Sequence, residues 1–204
     1  MSAPSVAALY VAKDGSYSGL EGVELWDEKR DARLYNGPHP VVAHPPCNTW
    51  CMLASVNEVR WNKMIGDDGG CFEAALASVR QWGGVLEHPA YSLAWPTYSL
   101  PRPSRGMWSQ SMLENGWVAE VSQSAYGHPA RKRTWLYYVG NTPPPKLDWR
   151  DLDGEGVVGA GVHSGQSAGR PRVDGYEASR TPDSFRDILL NMARQANVSQ
   201  ESLL

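Results

Sequence analysis

Phenylalanine is scarce in this sequence, two residues among 204, against nine Trp and nine Tyr. The aromatic surface therefore comes mostly with N–H and O–H groups, which favour half-wet clefts. Cysteine is scarce too. Three residues, an odd number, exclude a disulfide framework and predict a reducing, cytoplasmic setting. Positive charge is not in excess: 19 Lys and Arg stand against 22 Asp and Glu, a formal net charge of −3. That excludes a general polyanion binder, so contact with nucleic acid must rest on local basic patches. No apolar run has the length of a membrane span. The first residues, MSAPSVAALYVA, lack the basic segment of a signal peptide. No internal repeat is present. The length fits a single domain with a sizeable core.

What is present reads as short strands alternating with helical segments. Val6 to Ala12 is an apolar run followed by the turn-rich KDGSYSG, and Gly22 to Trp26 is a second short strand. Asp27 to Tyr35 is charged and helix-prone, with Asp27 placed to cap it. Val41 to Ala43 predicts a buried strand running into His44-Pro45-Pro46-Cys47. Thr49 to Met64 reads as irregular helix. Phe72, Ala75, Leu76, Val79 and Trp82 recur at helical spacing, and Gly83-Gly84 stop that helix. Val85 to Glu87 predicts a strand, Met107 to Gly116 a helix, and Trp117 to Ser124 and Thr134 to Gly140 further strands. From about Pro143 to Ser179 the chain becomes rich in Gly, Pro and Ser, which predicts a mobile loop over 151–180. Thr181 to Asn197 reads as a last helix, Thr181 its N-cap and Pro182 in its first turn.

This alternation predicts an α/β fold: a Rossmann-like, three-layer sandwich around a mainly parallel sheet. Residues 1–150 form its main body, and 181–204 carry a helix that packs on it. Ligands of such sheets bind beyond the carboxyl ends of the strands. Cys47 and Glu87 both fall there.

Cys47 has three readings. A lone cysteine is commonly a small buried hydrophobe. A Pro-Pro pair directly after a strand instead fixes an extended backbone that presents the next side chain to a cleft, and a thiolate is a strong nucleophile for an electron-poor ring carbon. The third reading is a metal site from His44, Cys47, Cys51 and Cys71. The spacing Pro-Cys-x-x-x-Cys has one residue too many for a zinc deaminase, and no His-x-Glu precedes it, so no metal is expected. Glu87, in Glu87-His88-Pro89, is a carboxylate at the end of a buried strand, costly there without a partner. It reads as a cap or as the group that engages a ring nitrogen. Arg131-Lys132-Arg133 reads as a solvated charge run or, since alternate residues of a strand share a face, as an Arg131/Arg133 pair for phosphate or a pyrimidine carbonyl.

In order, Pro-Pro-Cys, Glu-x-Pro and Arg-x-Arg over Val41 to Gly140 resemble the DNA cytosine-5 methyltransferase family. The resemblance implies that Cys47 attacks cytosine C6, Glu87 protonates N3, and Arg131 and Arg133 complete the active site. It implies S-adenosylmethionine as cofactor, met by the loop at Asp14 and Gly15, by Glu24 or Asp27 at the ribose, and by Pro45. DNA or a cytosine nucleotide is the implied partner, with Arg170, Arg172 and Arg180 on a nucleic-acid backbone. His88 stands where the family has Asn, and Pro129 where it has Gln. The first segment and the recognition region are short, as in a compact phage- or prophage-type relative. Two other readings remain open: a non-catalytic nucleic-acid- or nucleotide-binding relative, and an amino-methyltransferase, whose Asp-Pro-Pro-Tyr-type loop is similar to His44-Pro45-Pro46-Cys47.

Overall fold

The computed structural model describes residues 5–111, 115–158 and 169–196. Among these, seven strands form one sheet: β1 (Val6–Leu9), β2 (Val23–Trp26), β3 (Val41–Ala43), β4 (Gly84–Pro89), β5 (Ser109–Gln110), β6 (Trp117–Ser122) and β7 (Arg133–Val139). The helices are α1 (Ala54–Trp61), α2 (Cys71–Trp82), α3 (Ala94–Thr97), α4 (Gly175–Ser179) and α5 (Asp183–Ala196). No helix of the described residues is long and apolar enough to cross a membrane.

The sheet order is β2-β1-β3-β4-β7-β6-β5. β2, β1, β3 and β4 run parallel, while β7, β6 and β5 join antiparallel. The sheet is thus mixed, not mainly parallel as the alternation predicts. The correction has a physical source: β6 and β7 are separated by one 3-10 turn (Gln123–Tyr126) and a short loop, too little chain for a parallel crossover.

β1, β3 and the start of β4 are apolar and buried on both faces. One face packs Ala7, Val41, Ala43 and Leu86 against Phe72, Ala75, Leu76 and Val79 of α2. The other packs Ala8, Val42, Val85, Leu136 and Tyr138 against Phe185, Leu189, Met192 and Ala193 of α5. Period two in the strands meets period 3.6 in the helices, and burying their shared apolar face holds the layers together.

Three local expectations change. Asp27 to Tyr35 is not a helix: Asp27 Oδ1 accepts from the Arg30 amide, Asp31 takes a left-handed φ of 52°, and only Ala32–Leu34 makes a 3-10 turn. Short acidic side chains here bond nearby amides in competition with a helix. Within Met107 to Gly116, β5 replaces the expected helix because the β6 edge supplies its hydrogen bonds, and 112–114 lie outside the described residues. α5 starts one turn position later than read, with the Pro182 carbonyl accepting from the Arg186 amide.

Of the loop expected over 151–180, 159–168 lie outside the described residues. Its flanks are tied down. Gly156 donates to the Pro129 carbonyl at 2.9 Å, Val157 bridges Arg172, and Asp174 caps α4 through the Glu177 amide.

Candidate active site

From β1 the chain steps outward to β2, then crosses back to place β3 on the other side of β1. Between the carboxyl ends of β1 and β3 the connections diverge, which opens a crevice. A cavity of about 680 Å³ lies there. It is lined by the loop after β1 (Tyr10 to Tyr17), the loop after β3 (His44 to Cys47) and the end of β4. Because β7 is antiparallel, its entry, Arg131 to Arg133, reaches the same rim. Cys47, Glu87, Arg131 and Arg133 therefore line one cavity.

Trp50 anchors the Cys47 loop. It is buried, its indole N–H donates to Asp68 Oδ2 at 2.8 Å, and its ring packs against Phe72 and Tyr98. The Cys47 carbonyl accepts from the amides of Trp50 and Cys51 at 3.1 and 2.9 Å, closing the turn behind the two prolines. Burial, then the charges of Glu87 and Cys51, push the Cys47 thiol up to about 11, with Lys132 pulling the other way. At neutral pH the side chain rests as a thiol, not the thiolate expected from sequence.

Glu87 sits in a polar cluster that the sequence did not disclose. Val41, Val42 and Ala43 pair in register with Gly84, Val85 and Leu86. The next residues, His44 and Glu87, continue that register. His44 Nδ1 donates to Glu87 Oε2 at 2.8 Å, and His44 Nε2 lies 2.8 Å from the Tyr17 hydroxyl. On the other oxygen, Gln123 Nε2 donates to Glu87 Oε1 at 3.1 Å while also donating to Thr134 Oγ1. Burial alone would push the Glu87 carboxyl up. The hydrogen bond and charge of His44, joined by Lys132 and His88, outweigh it and hold the group down to about 2. Glu87 is a buried carboxylate with two bound donors and lone pairs left for a ligand.

His88 faces the opposite side of the sheet. Its Nδ1 bonds the Ser92 hydroxyl at 2.8 Å, its ring packs on Phe72 and Trp95, and burial brings its pKa down to about 4. It is a neutral core residue.

The arginines are less free than expected. Arg131 makes two bonds to Asp151, one at 2.7 Å from Nε to Oδ1 and a second from Nη2 to Oδ2. Arg133 reaches the Tyr91 hydroxyl at 3.2 Å and Asp151 at 3.5 Å. Lys132 shares a strand face with Thr134 and donates to the Ser179 and Arg180 carbonyls at 3.3 and 3.4 Å. Of Arg170, Arg172 and Arg180, only Arg180 lines the cavity. Arg170 pairs with Asp153 at 3.3 Å, and Arg172 is exposed beside Val157.

The residues expected to hold S-adenosylmethionine are placed in different surroundings. Gly15 and Pro45 line the cavity, but Asp14, Glu24 and Asp27 do not. Glu24 is bound by Arg30 at 2.5 Å, and Asp27 caps a turn. A run of turns, with no helix N-terminus to face a ligand, connects β1 to β2. That loop is instead tied to α5 and the residues just before it: Arg186 donates to the Ser16 carbonyl, and the Ser16 hydroxyl to the Thr181 carbonyl.

The three cysteines are free. Cys71 starts α2 near Asp68 and Arg33, apart from Cys47. Among the described residues no group of three or more His, Cys, Asp or Glu side chains is placed to hold a metal ion. Compared with protein-family models, curated proteins and solved structures, the chain matches none.

Proposed function

We propose that this protein is a cytosine-modifying enzyme that activates C5 of cytosine, in DNA or a nucleotide, by adding Cys47 to C6. One observation carries the proposal: Cys47 and the buried carboxylate Glu87 meet in one cavity at the strand-end crevice of an α/β sheet. The strand order β2-β1-β3-β4, with a helix on each face, supports a Rossmann-like, methyltransferase-type architecture.

The resting protonation states assign the roles. A thiol near 11 is ionised about one part in ten thousand at pH 7, a cost of about 5 kcal/mol. Free thiolate is therefore not the attacking species at rest. Glu87 supplies the missing base. As sulfur bonds to C6, the S–H bond breaks, and its proton passes through the Glu87 carboxylate to N3. The electron pair of the C5–C6 double bond moves into the ring and is held there by the new N3–H. Protons balance without an external acid. In this step Glu87 receives and hands on a proton. It starts as the carboxylate and shares that proton with N3. C5 is now nucleophilic. After modification its proton leaves to solvent, the C5–C6 double bond re-forms, and the C6–S bond breaks with its electron pair on sulfur. The N3 proton returns through Glu87 to Cys47. The remaining lone pairs of Glu87 accept from the cytosine amino group and N3–H together. A base within a duplex must flip out to reach this cavity.

Methyl transfer from S-adenosylmethionine belongs to the resemblance. The disposition of Glu24 and Asp27 does not support it, so no step is assigned to a methyl donor. The same disposition favours a second reading, a nucleotide-binding relative that does not turn over.

One experiment separates the two. Incubated with a nucleotide or oligonucleotide carrying 5-azacytosine, which is more electrophilic at C6, the enzyme is expected to gain one substrate mass at Cys47. Cys47→Ser gives none, because a hydroxyl is a far poorer nucleophile. Non-covalent binding without mass gain contradicts the enzymatic reading and supports the second.

A further inference from the structure

We infer that Tyr17, His44 and Glu87 work as one proton-handling unit, in which His44 is the positioning residue that decides whether Glu87 carries a proton. The cytosine reading enters only as the reason the proton is needed; the unit itself rests on geometry.

Glu87 as a carboxylate only accepts, so the hydrogen in its 2.8 Å bond with His44 sits on Nδ1. With that one hydrogen on the ring, Nε2 is bare and the Tyr17 hydroxyl donates to it at 2.8 Å. With a second hydrogen, on Nε2, the ring carries the charge that also favours the Glu87 carboxylate, and Nε2 donates to the Tyr17 oxygen. Tyr17 is 3% exposed, and burial first, then the charge of Glu87, push its hydroxyl well above the ordinary range, so it keeps its proton. Gln123 adds an N–H to the other Glu87 oxygen. With the singly protonated ring, the hydrogens between Tyr17, His44 and Glu87 all point toward Glu87, and Gln123 adds one of its two, the other going to Thr134. This is the arrangement of a base held by an orienting group, with a carboxylate at the working end.

The other charged or titratable neighbours come from every side. Cys47 lies on the loop after β3, Lys132 at the entry to β7, and His88 on β4 itself. Arg186 and Asp187 of α5 face Tyr17. Lys132 favours the carboxylate through its charge, while its amine bonds the Ser179 and Arg180 carbonyls. His44 alone of these makes a hydrogen bond to Glu87 among the described contacts. Burial is the largest single influence on Glu87 and acts upward. Without the His44 N–H, burial prevails. Glu87 then stays protonated through the acid range and cannot take the proton from Cys47. The acid limb of any Cys47 chemistry moves to higher pH.

The test is a carbon-13 titration of glutamate carboxyls in the whole protein, with Glu87 assigned by its loss in Glu87→Gln. In the wild type, Glu87 is expected to stay ionised from about pH 8 to about pH 4. In His44→Ala its midpoint rises by roughly two pH units or more. In His44→Asn, whose amide N–H stands near the Nδ1 position, the midpoint stays low. An unmoved midpoint in His44→Ala, or a rise in His44→Asn as large as in alanine, overturns the inference. If His44→Ala does not fold, nitrogen-15 shifts of His44 in the wild type at alkaline pH decide. The Nδ1–H tautomer supports the unit and the Nε2–H tautomer overturns it. A His44-dependent midpoint without Cys47 adduct formation leaves the unit standing and removes the cytosine reading. Adduct formation with a midpoint indifferent to His44 does the reverse.

Discussion

Cys47 and Glu87 act on each other, and that coupling gives a signature which simple loss of a catalytic group lacks. The charge of Glu87 is second only to burial in raising the Cys47 thiol. Glu87→Gln removes that charge and lowers the thiol pKa. It also removes the base that carries the thiol proton to the ring. The substitution is therefore expected to speed alkylation of Cys47 by iodoacetamide several-fold at neutral pH while slowing cytosine chemistry by about a hundred-fold or more. Peptide mapping separates Cys47 from Cys51 and Cys71. Both rates falling together would point to a disturbed fold instead. The candidates Cys47 and Glu87 were legible because each follows a buried run. From sequence, His44 reads as a metal ligand or as part of an Asp-Pro-Pro-Tyr-type loop, not as the partner of Glu87. Its role depends on the β3–β4 register, which aligns two residues 43 positions apart and leaves no local mark in the sequence. Gln123 was hidden for the same reason, since the 3-10 turn after β6 brings it to Glu87.

Among elements, the junction between α2 and β4 sets the position of Glu87. Gly83 caps α2 and Gly84 opens β4 directly against β3, at φ +113°. A Cβ on Gly84 would lie 1.9 Å from the Val41 carbonyl oxygen and 2.7 Å from the Val41 nitrogen. These are backbone atoms of a buried strand and cannot swing away. Gly84→Ala is expected to cost about 3 kcal/mol or more in a urea unfolding curve with unchanged slope. A loss below about 1 kcal/mol would mean that β3 and β4 part easily, and the His44–Glu87 pairing would lose its fixed frame. Helix α2 was readable because Phe72, Ala75, Leu76 and Val79 keep a 3.6-residue period, and they all face the core. The helix read at Met107 was not there. Two residues pairing with the edge of β6 are too short to show a period. The four parallel strands were likewise readable, as were β6 and β7, but the antiparallel direction of the latter was not, since strand direction depends on connections that carry no pattern of their own.

At the scale of the whole molecule, a net charge of −3 leaves substrate attraction to the cavity rim. There Asp151 holds Arg131 and Arg133 and is itself held below the usual carboxylate range, first by the Arg131 hydrogen bond. A phosphate must compete with that carboxylate. Such part-exposed pairs are worth at most about 1 kcal/mol, so competition is feasible. Asp151→Asn is expected to tighten binding of cytidine monophosphate several-fold and to steepen its salt dependence. Unchanged affinity would place the phosphate elsewhere. The central claim, addition of Cys47 to C6, needs no methyl donor to be tested. An adduct makes C5 basic, so hydrogen at C5 exchanges with solvent each time Cys47 adds and leaves. The most direct measurement is proton NMR of deoxycytidine monophosphate and of a cytosine-containing oligonucleotide in deuterium oxide with catalytic enzyme. The account expects loss of the C5 proton signal with the wild type and none with Cys47→Ser. Retention of that signal on both substrates, with both shown to be bound, would contradict it.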